Sequence, residues 1–208
     1  NKWKKNHNIK RILLKGEGKA FCAGGDVKSV FLSSGISNLK KEFFKKEYVL
    51  NYQISNFNKP YLSIWNGIVM GGGVGLSIYG KYRIATENSK FAMPETAIGF
   101  FPDVGASYFL SNLPNNIGKF IGLTGEVLTL NEIIFFGLAT DYFPIENLEK
   151  VKTSFINNGE MDTKKYEVNS NSLIIKNIDT INELFEGNIN EIFAKLKNKN
   201  TEFENKIY

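Results

Sequence analysis

The chain of 208 residues is poor in the residues that most often carry chemistry on their own. It has one cysteine, Cys22, which excludes a disulfide framework and any cysteine-based zinc cluster. Its one histidine, His7, excludes a two-histidine metal site and leaves little room for a serine–histidine–aspartate engine. Arg11 and Arg83 are the only arginines, so the net charge of +5 rests on lysine. Sequence-specific readers of nucleic acid lean on arginine forks, and this basicity is no argument for a DNA or RNA partner. A membrane span is also missing. Tyr61–Gly80 holds twenty residues without a charge, but six are glycine, three of them consecutive. That composition reads as a buried strand, a tight turn and a helix. No signal or transit peptide is visible, and the chain opens on Asn1, so its true start is expected upstream.

What remains is ordinary globular chemistry, 42% hydrophobic and 23% charged, enough for one large domain or for one domain and part of another. Ile9–Lys15 is an apolar run ending at Gly16 and predicts a strand, followed by a glycine-rich loop over Gly16–Asp26. Leu39–Phe57 repeats apolar residues at helical spacing and is stopped by Asn58-Lys59-Pro60. Tyr61–Asn66 and Lys81–Thr86 predict two more strands, with a glycine turn into a helix over Met70–Tyr79 between them. Further helices are expected at Ala106–Leu113, Asn116–Leu123 and Asn131–Leu138. Short buried strands alternating with helices predict an α/β layer fold. No internal repeat is visible. From about Pro144 the chain turns to lysine, asparagine and glutamate, with one amphipathic helix marked by Ile192, Phe193 and Leu196. That tail is too polar to form a core alone and is expected to pack on the first part or on sequence outside this chain.

Three segments could carry chemistry, and each has a plain structural reading beside the functional one. Ala23-Gly24-Gly25-Asp26 could open backbone N–H groups to a ligand, or be a strand-to-helix turn with Asp26 as N-cap. Met70-Gly71-Gly72-Gly73-Val74-Gly75 could place N–H groups at a helix start, or simply let helix and strand pack closely. It is not a dinucleotide fingerprint, because residue 76 is Leu where a third glycine would stand. Glu95 and Asp103 sit in an apolar stretch broken by Pro94, Gly99, Pro102 and Gly105. A poorly solvated carboxylate there suits acid/base work, or Pro94 and Glu95 merely open a helix. Cys22 reads as a small buried hydrophobe and His7 as solvated.

In combination these segments resemble the crotonase (enoyl-CoA hydratase/isomerase) superfamily. Phe21–Asp26 (FCAGGD) is similar to its first oxyanion loop and Asn66–Gly73 (NGIVMGGG) to its second. Met70–Ser77 (MGGGVGLS), Phe91–Gly105 (FAMPETAIGFFPDVG) and Tyr108-Phe109-Leu110 are most similar to the 3-hydroxyisobutyryl-CoA hydrolase branch. The resemblance implies a repeated ββα superhelix core over residues 1–143, lacking the family's N-terminal hairpin segment. Residues 144–208 would then be a polar, mainly helical and incomplete C-terminal segment. It also implies that the N–H groups of Gly25 and Gly72 form an oxyanion hole. Glu95 and Asp103 would be the catalytic acids, with Glu47, Gly72, Glu95 and Asp103 contacting substrate. Hydratases of the family carry a second catalytic glutamate where this chain has Gly75, and the hydrolase branch lacks it too. The implied activity is hydrolysis of 3-hydroxyisobutyryl-CoA in valine catabolism, with neither metal nor cofactor beyond the CoA of the substrate. The expected partner is that acyl-CoA, with no nucleic acid or membrane, a possible homo-oligomer, and a mitochondrial location. A hydratase or isomerase with a single carboxylate, and a non-catalytic CoA-ester-binding protein, are the alternatives.

Overall fold

The computed structural model describes residues 2–33, 38–161, 166–169, 171–197, 203 and 205. Seven strands are described: β1 (Ile12–Lys15), β2 (Ala20–Cys22), β3 (Tyr61–Trp65), β4 (Ile68–Met70), β5 (Tyr82–Ala85), β6 (Lys90–Ala92) and β7 (Asp141–Tyr142). The odd-numbered strands form one parallel sheet in the order β1-β3-β5-β7, and the even-numbered ones a second in the order β2-β4-β6. The chain therefore coils. Each turn lays one strand in the larger sheet and one in the smaller, then returns through helix or a glycine turn. After α1 (Lys2–Lys5), the first turn closes through α2 (Val27–Leu32) and α3 (Leu39–Ser55), and the second through α4 (Gly72–Gly75). The third closes through a 3-10 turn (Glu95–Ile98), α5 (Ala106–Ser111), α6 (Ile117–Thr124) and α7 (Leu130–Phe135). This is the repeated ββα superhelix that the family resemblance implied, and the repeat lies in geometry with no repeat of sequence.

The uninterrupted apolar run of β3 is that of a parallel strand covered on both faces. All five of its residues are buried. Leu62 and Ile64 meet Val151 and Phe155 of α8 (Leu148–Asn158) in one core, while Trp65 packs on Phe91 in the main core between the sheets and α5–α7. The polar tail joins that main core. Ile174 of α9 (Leu173–Lys176), Ile181 and Leu184 of α10 (Ile178–Leu184), Phe185, and Ile192 and Leu196 of α11 (Ile189–Lys197) are all buried in it. Glu132 of α7 ties the seam: its carboxylate accepts from the Thr129 N–H at 2.8 Å, from the Thr129 hydroxyl at 2.5 Å and from the Ser172 hydroxyl.

Two expectations need correction. The loop over Gly16–Asp26 contains β2, whose three residues are too few to show a period but pair in parallel with β4. Cys22 is half-buried and not a core residue, because it ends an edge strand beside an open cavity. His7 is exposed as expected. The two arginines are both occupied by carbonyls: Arg11 donates to Phe155 and Ile156 at 2.8 and 2.7 Å, and Arg83 to Leu138 and Gly80 at 2.6 and 2.8 Å.

Candidate active site

The three strands of the smaller sheet run parallel, so their carboxyl ends lie side by side, where open α/β sheets present their ligand crevices. Each strand delivers one of the residues singled out above. The turn after β2 carries Gly25, the turn after the central strand β4 carries Gly72, and the segment after β6 carries Glu95. The approach is close. A Cβ placed on Gly72 would stand 3.4 Å from the Gly25 nitrogen and 2.7 Å from Oε1 of Glu47. Gly71 has φ +52°, and a Cβ there would meet Oε1 of Glu95 at 3.0 Å. Side chains at these positions would fill the space between the two turns and both glutamates.

The structural reading of the first glycine segment holds and is compatible with the functional one. Asp26 does cap α2, accepting from the Ser29 N–H at 3.0 Å, and this fixes the turn that holds Gly25. Neither the Gly25 nor the Gly72 N–H is taken up in the turn and loop bonds of the described residues. There the two glycines act as acceptors only, from Val27 and Leu76. Pro94 caps the 3-10 turn instead of opening a helix, and Glu95 is its first residue. The Phe100 N–H donates to the Glu95 carbonyl at 3.0 Å and Gly99 closes the turn with φ +70°, which fixes the backbone beneath the carboxylate.

Helix α3 crosses this floor and supplies Glu47, with Phe43 packed where a Gly25 side chain would be. One cavity of about 550 Å³ is lined by Gly25, Gly72, Glu47, Glu95 and Asp103 together, so all five expected residues meet. Lys40 is the one cation among its described lining residues. Glu95 is 7% exposed, and its Oε2 is buried with no partner among the described residues. Burial pushes the Glu95 carboxyl above the usual range, against the pull of its own backbone N–H, and the charge of Asp103 adds to the rise. Glu47 is pushed up to about 7 by burial and then by the charges of Asp103 and Glu95. Burial also raises Asp103, offset in part by a hydrogen bond from the Tyr48 hydroxyl and by its own N–H. Such surroundings raise a carboxyl's hold on its proton, which is what acid/base work asks of it.

Two neighbours were not anticipated. The Tyr48 hydroxyl donates to Oδ2 of Asp103 at 2.7 Å. Asn51, 5% exposed and one helical turn beyond Glu47, has neither amide atom partnered among the described residues. It fills the place a side chain at Gly75 would need, since a Cβ there would meet its Nδ2 and Oδ1 at 2.9 Å and Cβ of Val104 at 2.6 Å. Helical spacing from Glu47 was a signal for Asn51 only; Tyr48, next in the chain, had none. Among the described residues, no group of three His, Cys, Asp or Glu could hold a metal ion, and no helix is long and apolar enough to cross a membrane.

Comparison with known proteins bears on this arrangement. Residues 1–208 match the family model described as enoyl-CoA hydratase/isomerase. The mitochondrial 3-hydroxyisobutyryl-CoA hydrolase of Danio rerio is 45% identical over 157 residues, which is 74% of this chain and 41% of that protein. The small ribosomal subunit protein mS47 of Neurospora crassa is 42% identical over 190 residues, 89% of this chain and 37% of that protein. An enoyl-CoA hydratase from Rhodobacter sphaeroides 2.4.1 superposes with a TM-score of 0.91 at 32% identity, covering 99% of this chain and 61% of that one. The chain thus spans about two fifths of the length of these two curated relatives.

Proposed function

The chain belongs to the enoyl-CoA hydratase/isomerase family, and on that premise we propose that its protein is an acyl-CoA thioester hydrolase. Its substrate is 3-hydroxyisobutyryl-CoA, cleaved to 3-hydroxyisobutyrate and CoA in the mitochondrial breakdown of valine. The observation that carries the reading is Oε2 of Glu95, buried beside the Gly71–Gly72 turn with no partner among the described residues. A structural carboxylate would have both oxygens hydrogen-bonded; leaving Oε2 bare, with only the residue's own N–H on the group, costs about 1–3 kcal/mol and suits a chemical role.

In this reading the thioester carbonyl oxygen lies between the N–H groups of Gly25 and Gly72. They stabilise the charge that develops there, each by about 3–4 kcal/mol. Glu95 takes a proton from water as the water oxygen bonds to the carbonyl carbon, or attacks that carbon itself to give an anhydride that water then opens. The carbon–sulfur bond breaks: in the first route the sulfur takes the proton held by Glu95, and in the second CoA leaves as thiolate and takes its proton from the water that opens the anhydride. Asp103 accepts from the acyl hydroxyl or orients Glu95 and the water. No metal or redox group is needed for these steps.

The likeness to the hydrolase of Danio rerio supports the substrate. Gly75 supports hydrolysis over hydration, because the space for a second carboxylate is occupied by Val104 and Asn51. One observation favours a second reading, a component of an assembly without turnover: the likeness to mS47, named a ribosomal protein. The test is thiol release from 3-hydroxyisobutyryl-CoA by the full-length protein, with crotonyl-CoA run alongside. Rapid release without crotonyl-CoA hydration is expected. Hydration in its place would make the protein a hydratase, and no turnover of either ester would favour the second reading.

A further inference from the structure

We propose that Tyr48 is a positioning residue for the reaction: its hydroxyl holds Oδ2 of Asp103 so that Oδ1 is presented to the acyl group as a fixed acceptor. This deepens the hydrolase reading and rests on it. The geometry is direct, a donor at 2.7 Å on a ring that is 40% exposed and held from one side by its aromatic neighbours. The Tyr48 ring lies 5.9 Å from that of Phe44, which stacks on Phe100 at 5.7 Å, and Phe100 stacks on Phe101 at 4.5 Å. Helix α3 and the segment after Glu95 are thereby locked together by a ladder of rings, with the Tyr48–Asp103 bond at one end. Tyr48 and Asp103 are 55 residues apart in the chain, so the bond fixes two separate elements to one another.

The bond also decides which carboxylate holds charge. Glu47 on α3, Glu95 on the 3-10 turn and Asp103 share one cavity, with Lys40 as the cation among its described lining residues. Three carboxylates so placed cannot all ionise cheaply. Among the described residues, Asp103 is the one of the three with a side-chain hydroxyl donating to it, so it is the one best able to stay charged while Glu95 holds or releases a proton.

Tyr48→Phe in the full-length protein keeps the ring ladder and removes only the hydroxyl. For 3-hydroxyisobutyryl-CoA the expected result is a fall in kcat of about tenfold or more with little change in KM. The acid limb of the pH profile should also move up by about one to two pH units. In an Asp103→Asn background the same substitution should add almost nothing, because the two groups act as one unit. Tyr52→Phe, one turn on and exposed, controls for loss of a hydroxyl on α3 and should match the parent. Multiplying losses in the double variant, or an unmoved pH profile, would overturn the proposal. Carbon-13 titration of the Asp103 carboxyl separates it from the hydrolase reading. A higher titration pH in Tyr48→Phe sustains the role of Tyr48 even if no ester turns over, and equal titration in both proteins ends it.

Discussion

Glu95 and Glu132 are both buried glutamates at the start of a helical turn, and their surroundings differ in almost every respect. Glu132 sits at the seam between the core and the C-terminal helices, with a backbone N–H and two hydroxyls donating to its oxygens. Glu95 sits at the carboxyl edge of the smaller sheet, with no partner for Oε2 among the described residues and two further carboxylates in the same cavity. Burying a charge is tolerable when hydrogen bonds replace water, and Glu132 meets that condition. Glu95 does not, and its proton affinity rises instead. Burial alone does not separate a structural carboxylate from a chemical one; the count of donors does.

The sharpest way to break this comparison is to remove the charge at Glu95. Glu95→Gln should cost about 10³-fold in thiol release while leaving acyl-CoA binding largely intact, as calorimetry with the intact ester would register. Lost binding with retained turnover would make Glu95 a substrate anchor and not a base. At the seam the effect should fall on stability. Glu132→Ala strands the Thr129 N–H and both hydroxyls, and should lower the unfolding free energy by about 2–3 kcal/mol in urea titrations. Thiol release per folded molecule should stay at the parent level.

The smallest effect concerns Glu47 and separates charge from packing within the cavity. Its carboxyl has an ordinary value near 4.5 and is held at about 7 in the folded protein. Between those values the folded chain binds more protons than the unfolded one, so Glu47 makes stability fall as pH rises from 4.5 to 7, with no further change above. Glu47→Gln should flatten that part of the stability profile, read by thermal melting across the same range. An identical slope in both proteins would mean that Glu47 is better solvated than the cavity suggests.

Only the family resemblance gave Gly25, Gly72 and Glu95 roles, because local rules left the functional and structural readings of each segment open. What those rules do interpret is punctuation, the consecutive glycines at Gly24-Gly25 and Gly71–Gly73 and the proline before Glu95. The long periodic helix α3 and the buried strand β3 were legible for the same reason. The smaller sheet was not. Its strands have three residues each, below the length at which alternation shows, and only pairing with neighbours far along the chain defines them. Tyr48 and Asn51 were hidden likewise, since their meaning comes from Asp103 and Gly75 on other elements. The polar tail packs on the first part, one of the two outcomes expected of it, but which of its apolar residues reach the core depends on the helices they meet, such as Phe185 against Phe120.

The most direct test of the distinction between the two glutamates sets Glu95→Gln and Glu132→Ala side by side in the full-length protein, with melting temperature and thiol release measured on the same preparations. The account predicts a crossed result: Glu95→Gln melts at or above the parent temperature and releases thiol about 10³-fold more slowly, while Glu132→Ala melts lower and releases thiol at the parent rate per folded molecule. Parallel losses of stability and turnover in both variants would contradict it.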